Sequence, residues 1–227
     1  MKKNNIFLII ALVMISISAY SQTNGPTFGL RAGVNLQTIN GKDIGGDKLE
    51  MDIVPRFHVG AVVNIPFAPD FYFQPGLLFS TKGAKSNNSF LGLVDFSVEY
   101  NISYIELPLN IVFKPALGNG HFVLGFGPYL AYGVAGKAKF EINNVSTEEK
   151  IVFTDEHTSL IATDWKYFKA LDYGGNLFFG YEMNNGISLQ LNTQLGLAKI
   201  NAENKSLTDN DSEFRNTGFG LSLGYNF

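Results

Sequence analysis

The chain has 227 residues, a formal net charge of -3, 16% charged residues and no cysteine. So mild a charge gives no footing for nucleic acid or for a polybasic membrane tether, and without cysteine there is no disulfide, lipidated thiol or thiolate metal site. Ordinary soluble domains carry roughly 25% charged residues; the deficit here, with 24 glycines, 20 phenylalanines and 10 tyrosines, means that much of the surface faces something other than water.

At the start of the chain, Lys2 and Lys3 precede an apolar run from Ile6 to Ile15, followed by the small residues Ser16, Ser18, Ala19 and Ser21. The run is shorter than the roughly 20 residues of a spanning helix, and Ala19-Tyr20-Ser21 suits a signal peptidase, so residues 1–21 read as a secretory signal peptide and 22–227 as the mature domain. No later segment has the length and apolarity of a membrane helix. A bilayer, if crossed, is crossed by strands.

Period-two alternation then begins. Over 27–37, Phe28, Leu30, Ala32, Val34 and Leu36 share one face, while Gly29, Arg31, Gly33, Asn35 and Gln37 share the other. The same pattern predicts strands over 56–66, with Phe57 and Val59 against His58, and over 71–82, with Phe71 and Leu77 against Gln74, Ser80 and Lys82. In the fourth, 98–113, the apolar side passes from Tyr100 and Ile102 to Ile105, Leu107 and Leu109, a shift that a bulge near Tyr104 explains. Further strands follow over 121–135, 167–182, 186–199 and 217–227. Connections at 67–70, 114–120 and 183–185 are short, whereas those at 38–55, 83–97, 136–166 and 200–213 are long.

The predicted fold is therefore all-β: an eight-stranded antiparallel up-and-down transmembrane β-barrel with short periplasmic turns and long extracellular loops. A soluble lipocalin-type barrel has the same strand number with its apolar face inward. Face chemistry separates the two, because the polar parity is mostly Gly, Asn, Ser and Gln, which suit a narrow crowded lumen better than a solvated surface. Phe71, Tyr100, Tyr104, Tyr132, Tyr181, Tyr225 and Phe227 lie near strand ends, where interfacial girdles form. Pro75, Pro108 and Pro128 fall inside adjacent strands of a sheet that has no edge, which calls for bulges or for a weaker wall with fast amide exchange.

Several stretches together resemble the PorT-type family of small outer-membrane β-barrel proteins: GLRAGVNL at 29–36, FYFQPGLLFSTKGA at 71–84, YIELPLNIVFKP at 104–115, GPYLAYGVAGK at 127–137, ALDYGGNLFFGYE at 170–182 and QLGLAKI at 194–200. The resemblance implies an integral outer-membrane barrel. The family's naming member is associated with secretion across the envelope, a role that does not transfer to every relative. Outer-membrane barrels commonly end on an aromatic after alternating apolar residues, a pattern read by the barrel assembly machinery, and Tyr225 and Phe227 look like that signal as well as girdle aromatics.

Arg31, His58, Glu106, Asn110, Asp172, Asn176 and Gln194 fall on the inward parity. Buried charges persist only when paired, so an Arg31–Glu106 ion pair is expected at the heart of this polar plug, and Glu106→Ala is expected to cost about 3–5 kcal/mol. His58 with Glu106 or Ser80 has the makings of a catalytic pair, although interior polar residues of this kind more commonly satisfy one another; His121 and His157 lie near a turn and in the longest loop. No cofactor or metal is expected, since His spacing and cysteine ligands are wanting and Asp209, Asp211 and Glu213 lack the glycine of a calcium loop. In the segment 136–166, Phe153, Leu160, Ile161 and Trp165 form either a contact patch or rim packing. The expected partners are outer-membrane lipid, the barrel assembly machinery and an envelope protein. A structural or interaction role is the leading expectation, with a lipid-modifying enzyme or a narrow solute channel as the alternatives.

Overall fold

The computed structural model describes residues 25–43, 45–90, 94–142, 145–158, 166–206 and 212–227; the signal-peptide segment, Leu160, Ile161, Trp165, Asp209 and Asp211 lie outside them. A strand with one apolar and one small polar face is stable when the sheet curls until the polar face meets itself and the apolar face is left outside. Among the described residues fourteen strands form: β1 (Thr27–Lys42), β2 (Val54–Ala68), β3 (Phe71–Lys82), β4 (Lys85–Phe90), β5 (Val94–Phe113), β6 (Gly120–Ile142), β7 (Val145–Lys150), β8 (Val152–Phe153), β9 (Glu156–His157), β10 (Tyr167–Phe168), β11 (Leu171–Met183), β12 (Ile187–Gly196), β13 (Glu203–Asn204) and β14 (Glu213–Asn226). Eight of them close a ring in the order β1-β2-β3-β5-β6-β11-β12-β14, and β14 returns antiparallel to β1 from Gly29↔Asn226 to Lys42↔Glu213.

Exposure decides which way the faces point. Phe28, Val34, Leu77, Phe126 and Leu223 are 58 to 60% exposed on the outside, whereas Asn64, Asp172 and Asn216 are fully buried within. A lipocalin-type interior is the inverse of this arrangement.

The strands outrun the bilayer. About 9–11 residues suffice for a crossing, yet β5 has 20 and β6 has 23. Their upper halves continue into a sheet with β4 and β7 on the side of the long connections, so parts of 83–97 and 136–166 are strand and not loop. The expected irregularity near Tyr104 is present, but its extra residue is on β6: Ser103 pairs with Ala135 and Tyr104 with Gly133, which leaves Val134 over. Inward and outward positions therefore alternate without interruption along β5.

Consequently Tyr100 and Tyr104 are not girdle aromatics. Both point inward at 4% and 0% exposure, whereas Tyr132 and Phe227 are 61% and 71% exposed on the outside. The two tyrosines join Ile39, Ile102, Tyr129, Ile151, Phe168 and Ile200 in an apolar cluster that fills the extracellular end of the lumen. Short pairings of β8 with β10 and of β9 with β13 knit the connecting segments over it. The lumen is polar in its middle and oily at its top.

The three prolines line up. Between β2 and β3 the ladder stops after Val62↔Gly76 and resumes at Ile65↔Phe73, a gap that holds Pro75. Between β3 and β5 it skips from Pro75↔Leu109 to Leu78↔Glu106 around Pro108, and between β5 and β6 from Pro108↔Tyr129 to Ile111↔Phe126 around Pro128. Each missing donor falls where the ladder is already interrupted.

Candidate functional site

The interior charges are organised by Lys82, which sequence reading placed on the inward face of its strand without assigning it a partner. Its ammonium lies 3.0 Å from Asp172 Oδ2 and 3.1 Å from Glu106 Oε2. The ring centroid of Tyr129 is 4.1 Å away and that of Tyr104 is 5.3 Å away. Asn216 Nδ2 donates to Asp172 Oδ2 at 3.0 Å, and Tyr129 OH donates to Asp172 Oδ1 at 3.3 Å. Gln194 Nε2 donates both to Glu106 Oε1 at 2.9 Å and to Asn176 Oδ1 at 3.0 Å. A fully buried lysine on an inward parity requires carboxylates nearby; that signal was available in the sequence.

The expected Arg31–Glu106 ion pair does not form. Arg31 donates to Gln74 Oε1 at 3.0 Å and stacks 4.8 Å from the Phe178 ring centroid. Register places Arg31, Gly60, Leu78 and Glu106 in one row across β1, β2, β3 and β5. Strands tilted by roughly 35–45° and spaced about 4.8 Å apart lift such a row by about 9 Å over three steps, so Glu106 sits well above Arg31. Lysine from β3 reaches the gap first. Arg31, Glu106 and Asn110 line one narrow cavity of about 50 Å3, room for a few waters.

His58 also faces this cavity, with Ser80 opposite it in the ladder. Its ring nitrogens are taken by Asn35 Nδ2 at 3.0 Å and Ser222 Oγ at 3.1 Å, and a β-carbon at Gly33 would collide with the ring. The three side chains of the resulting Ser–His–Asn chain are buried, and the space of about 50 Å3 beside them is far too small for a lipid ester. It acts as a cross-brace from β1 through β2 to β14.

A second space opens at the periplasmic mouth, a vestibule of about 670 Å3 bordered by Tyr72, Lys114, His121, Glu182, Asn226 and Phe227. Lys114 pairs with Glu182 at 2.6 Å, and Asn226 Nδ2 donates to the same carboxylate oxygen at 2.6 Å. Tyr225 and Phe227 meet edge to face at 4.9 Å on the outside of this rim. His157, on the opposite side of the barrel, stacks on Tyr167 at 4.2 Å. Phe153 is half-buried against the apolar cluster with its ring over Gly133, where a β-carbon would strike it.

An apolar outer belt, a closed antiparallel ring and a side-chain-filled lumen define an outer-membrane barrel. The chain belongs to the outer membrane protein beta-barrel domain family, which matches residues 20–202, and is accordingly an integral protein of the outer membrane. Among solved structures it is similar to Ail, the attachment invasion locus protein of Yersinia pestis, solved in complex with the heparin analogue sucrose octasulfate, at 15% identity over 89% of this chain and 99% of that one, with a TM-score of 0.38. Neisserial surface protein A is similar at 10% identity over 90% and 100% with a TM-score of 0.41, and OprG from Pseudomonas aeruginosa at 15% over 88% and 95% with 0.43. At these scores the fold rests on the chain's own hydrogen-bond ring and not on the likeness. No curated protein matches it.

Proposed function

We propose that this protein is a closed, non-catalytic barrel with a structural or protein-interaction role, delivered by a signal peptide cleaved after Ser21. The observation that carries this reading is the oily plug: Ile39, Ile102, Tyr104 and Ile200 are fully buried across the extracellular end of the lumen, above a Lys82 centre that is also fully buried. Side chains fill an eight-stranded interior and leave no path for ions. In planar bilayers the purified barrel is expected to show no sustained unitary conductance. Regular openings that persist under low voltage would establish a solute channel and end this reading.

Loops and strand extensions on a rigid scaffold carry recognition, and β5 and β6 run far beyond the bilayer. The resemblance of its strands to PorT-type barrels makes an envelope- or secretion-related setting the place to seek a partner. Among the described residues the buried Ser222–His58–Asn35 chain is the interior set nearest to a catalytic one, and the narrow space of about 50 Å3 beside it argues against an acyl substrate.

Tyr225 and Phe227 act as the assembly signal. Replacing both with Ala is expected to lower the folded, heat-modifiable fraction in cell envelopes several-fold while refolding in detergent from urea stays near wild type. If refolding of the purified chain is impaired to the same degree, the two aromatics serve only as girdle anchors.

A further inference from the structure

We propose that the free edge of β7 is a docking site for an extended segment of another polypeptide, which adds there as the next strand of the projecting sheet. This rests on the closed-scaffold reading and names the surface that such a scaffold would use.

All six residues of β7 are exposed. Ile151 donates its N–H to Gly136 O at 3.0 Å, and this fixes the alternation along the β6–β7 ladder: Val145, Thr147 and Glu149 turn their N–H groups to β6, whereas Ser146, Glu148 and Lys150 turn theirs away. Among the described residues these outward groups meet no backbone acceptor. The opposite edge of the sheet is different, since Asp52 exchanges two backbone hydrogen bonds with Lys85 at the start of β4. Natural proteins blunt exposed edges with charge, short length, proline, bulges or a covering element; β7 is short and carries Glu148, Glu149 and Lys150, which select against uncharged strands, but it has no proline and its ladder with β6 has no register shift. An edge with open backbone donors held clear of the membrane is a template for addition of a strand of complementary charge.

A second copy in the same membrane does not fit this edge. Two barrels related by a twofold along the membrane normal present equivalent strands crossed at twice the barrel tilt, roughly 70–90°, whereas paired strands differ by only about 20–25°. The occupant therefore comes from outside the bilayer. Its chemistry follows from the register: Phe96, Ile142 and Val145 stand in a row across β5, β6 and β7, 37%, 51% and 70% exposed, so the incoming strand continues it with a β-branched or aromatic residue. Three and four positions further on, Glu148 and Glu149 call for lysine or arginine. Each already has one lysine, Lys137 at 3.0 Å and Lys166 at 3.2 Å, but both carboxylates remain about half exposed to a newcomer.

The test uses the full mature barrel in nanodiscs and a fluorescent eight-residue synthetic peptide that alternates valine or threonine with lysine, read by anisotropy. Its analogue, N-methylated at the six central residues, keeps every charge and loses the donors. The unmodified peptide is expected to bind saturably, and the N-methylated one at least tenfold more weakly. Glu148→Pro removes one outward donor without touching the β6 ladder and is expected to weaken binding at least tenfold, while Glu148→Gln, which keeps the donor, changes it only a few-fold. Heat modifiability of both variants shows that the barrel is intact. Equal binding of the N-methylated peptide or of Glu148→Pro would reduce the contact to charge attraction and overturn the proposal, as would no saturable binding of the first peptide. Either result leaves the closed lumen standing, since conductance alone decides that.

Discussion

Lys82→Met is expected to lower the unfolding free energy of the barrel by about 3–5 kcal/mol, the usual penalty for stranding a buried charge. Here two carboxylates are stranded at once. Asp172 is wholly buried, Glu106 is 3% exposed, and in the native structure both lean on the same ammonium. Glu106→Gln is a milder change, because Lys82 keeps Asp172 in a one-to-one pair and the new amide oxygen still accepts from Lys82 while the bond from Gln194 is given up; a loss of about 1 kcal/mol is expected, the range of a single neutral hydrogen bond. The order of the two effects is the informative quantity. A direct Arg31–Glu106 pair would make Glu106 the sensitive position and leave Lys82 nearly silent. Urea midpoints followed by far-UV circular dichroism in detergent or lipid vesicles give the comparison, and a Lys82→Met midpoint equal to wild type removes the account. The triple variant Lys82→Met, Glu106→Gln, Asp172→Asn should recover most of the loss, since it discards the charges together.

The difference between Lys82 and Arg31 also shows where sequence reading stops. Alternation is a local property, so the outward positions of Phe28, Val34 and Leu223 and the inward ones of Arg31, Glu106 and Asp172 were legible residue by residue. Height along the barrel axis is not local. It depends on tilt and shear accumulated over several strands, which no window of ten residues contains, and for this reason the partner of Glu106 could be placed in the lumen but not identified. The apolar plug was hidden by a different cause. Along β1 the inward face reads Asn35, Gln37 and then Ile39, and along β5 it reads Tyr100 and Ile102 before Glu106, so the inner parity itself changes chemistry near the extracellular rim. A reading in which oily means outward turns this into a parity shift and assigns Tyr100 and Tyr104 to the lipid. The projecting sheet escaped because β7 reads VSTEEK, polar enough to pass for a loop, and its strand character is imposed by pairing with β6.

The wall from β2 to β6 is expected to exchange its amide protons roughly 100-fold faster around the proline line than along the β1–β14 seam. Each of the three ladders there skips two residue pairs, whereas β1 and β14 pair without interruption from Gly29 to Lys42. Two missing ladder bonds at about 1–1.5 kcal/mol each lower the local opening free energy by about 2–3 kcal/mol, and that sets the ratio. Inside the wall, Gln74 Nε2 donates to Asn64 Oδ1 at 2.6 Å across the first gap, so side chains replace part of the backbone ladder. The second gap is packed by apolar contact, with Pro108 close against Gly76. Hydrogen exchange followed by NMR in micelles resolves the two regions: Gly76, Leu77, Leu107 and Leu109 report on the weak wall, and Ala32, Val34 and Leu221 on the strong seam. Pro75→Val returns a donor to the first gap and is expected to slow exchange of its neighbours at least tenfold, with the β1–β14 amides unchanged. Uniform protection around the ring would show that the gaps are sealed by other groups and that the prolines cost the barrel nothing.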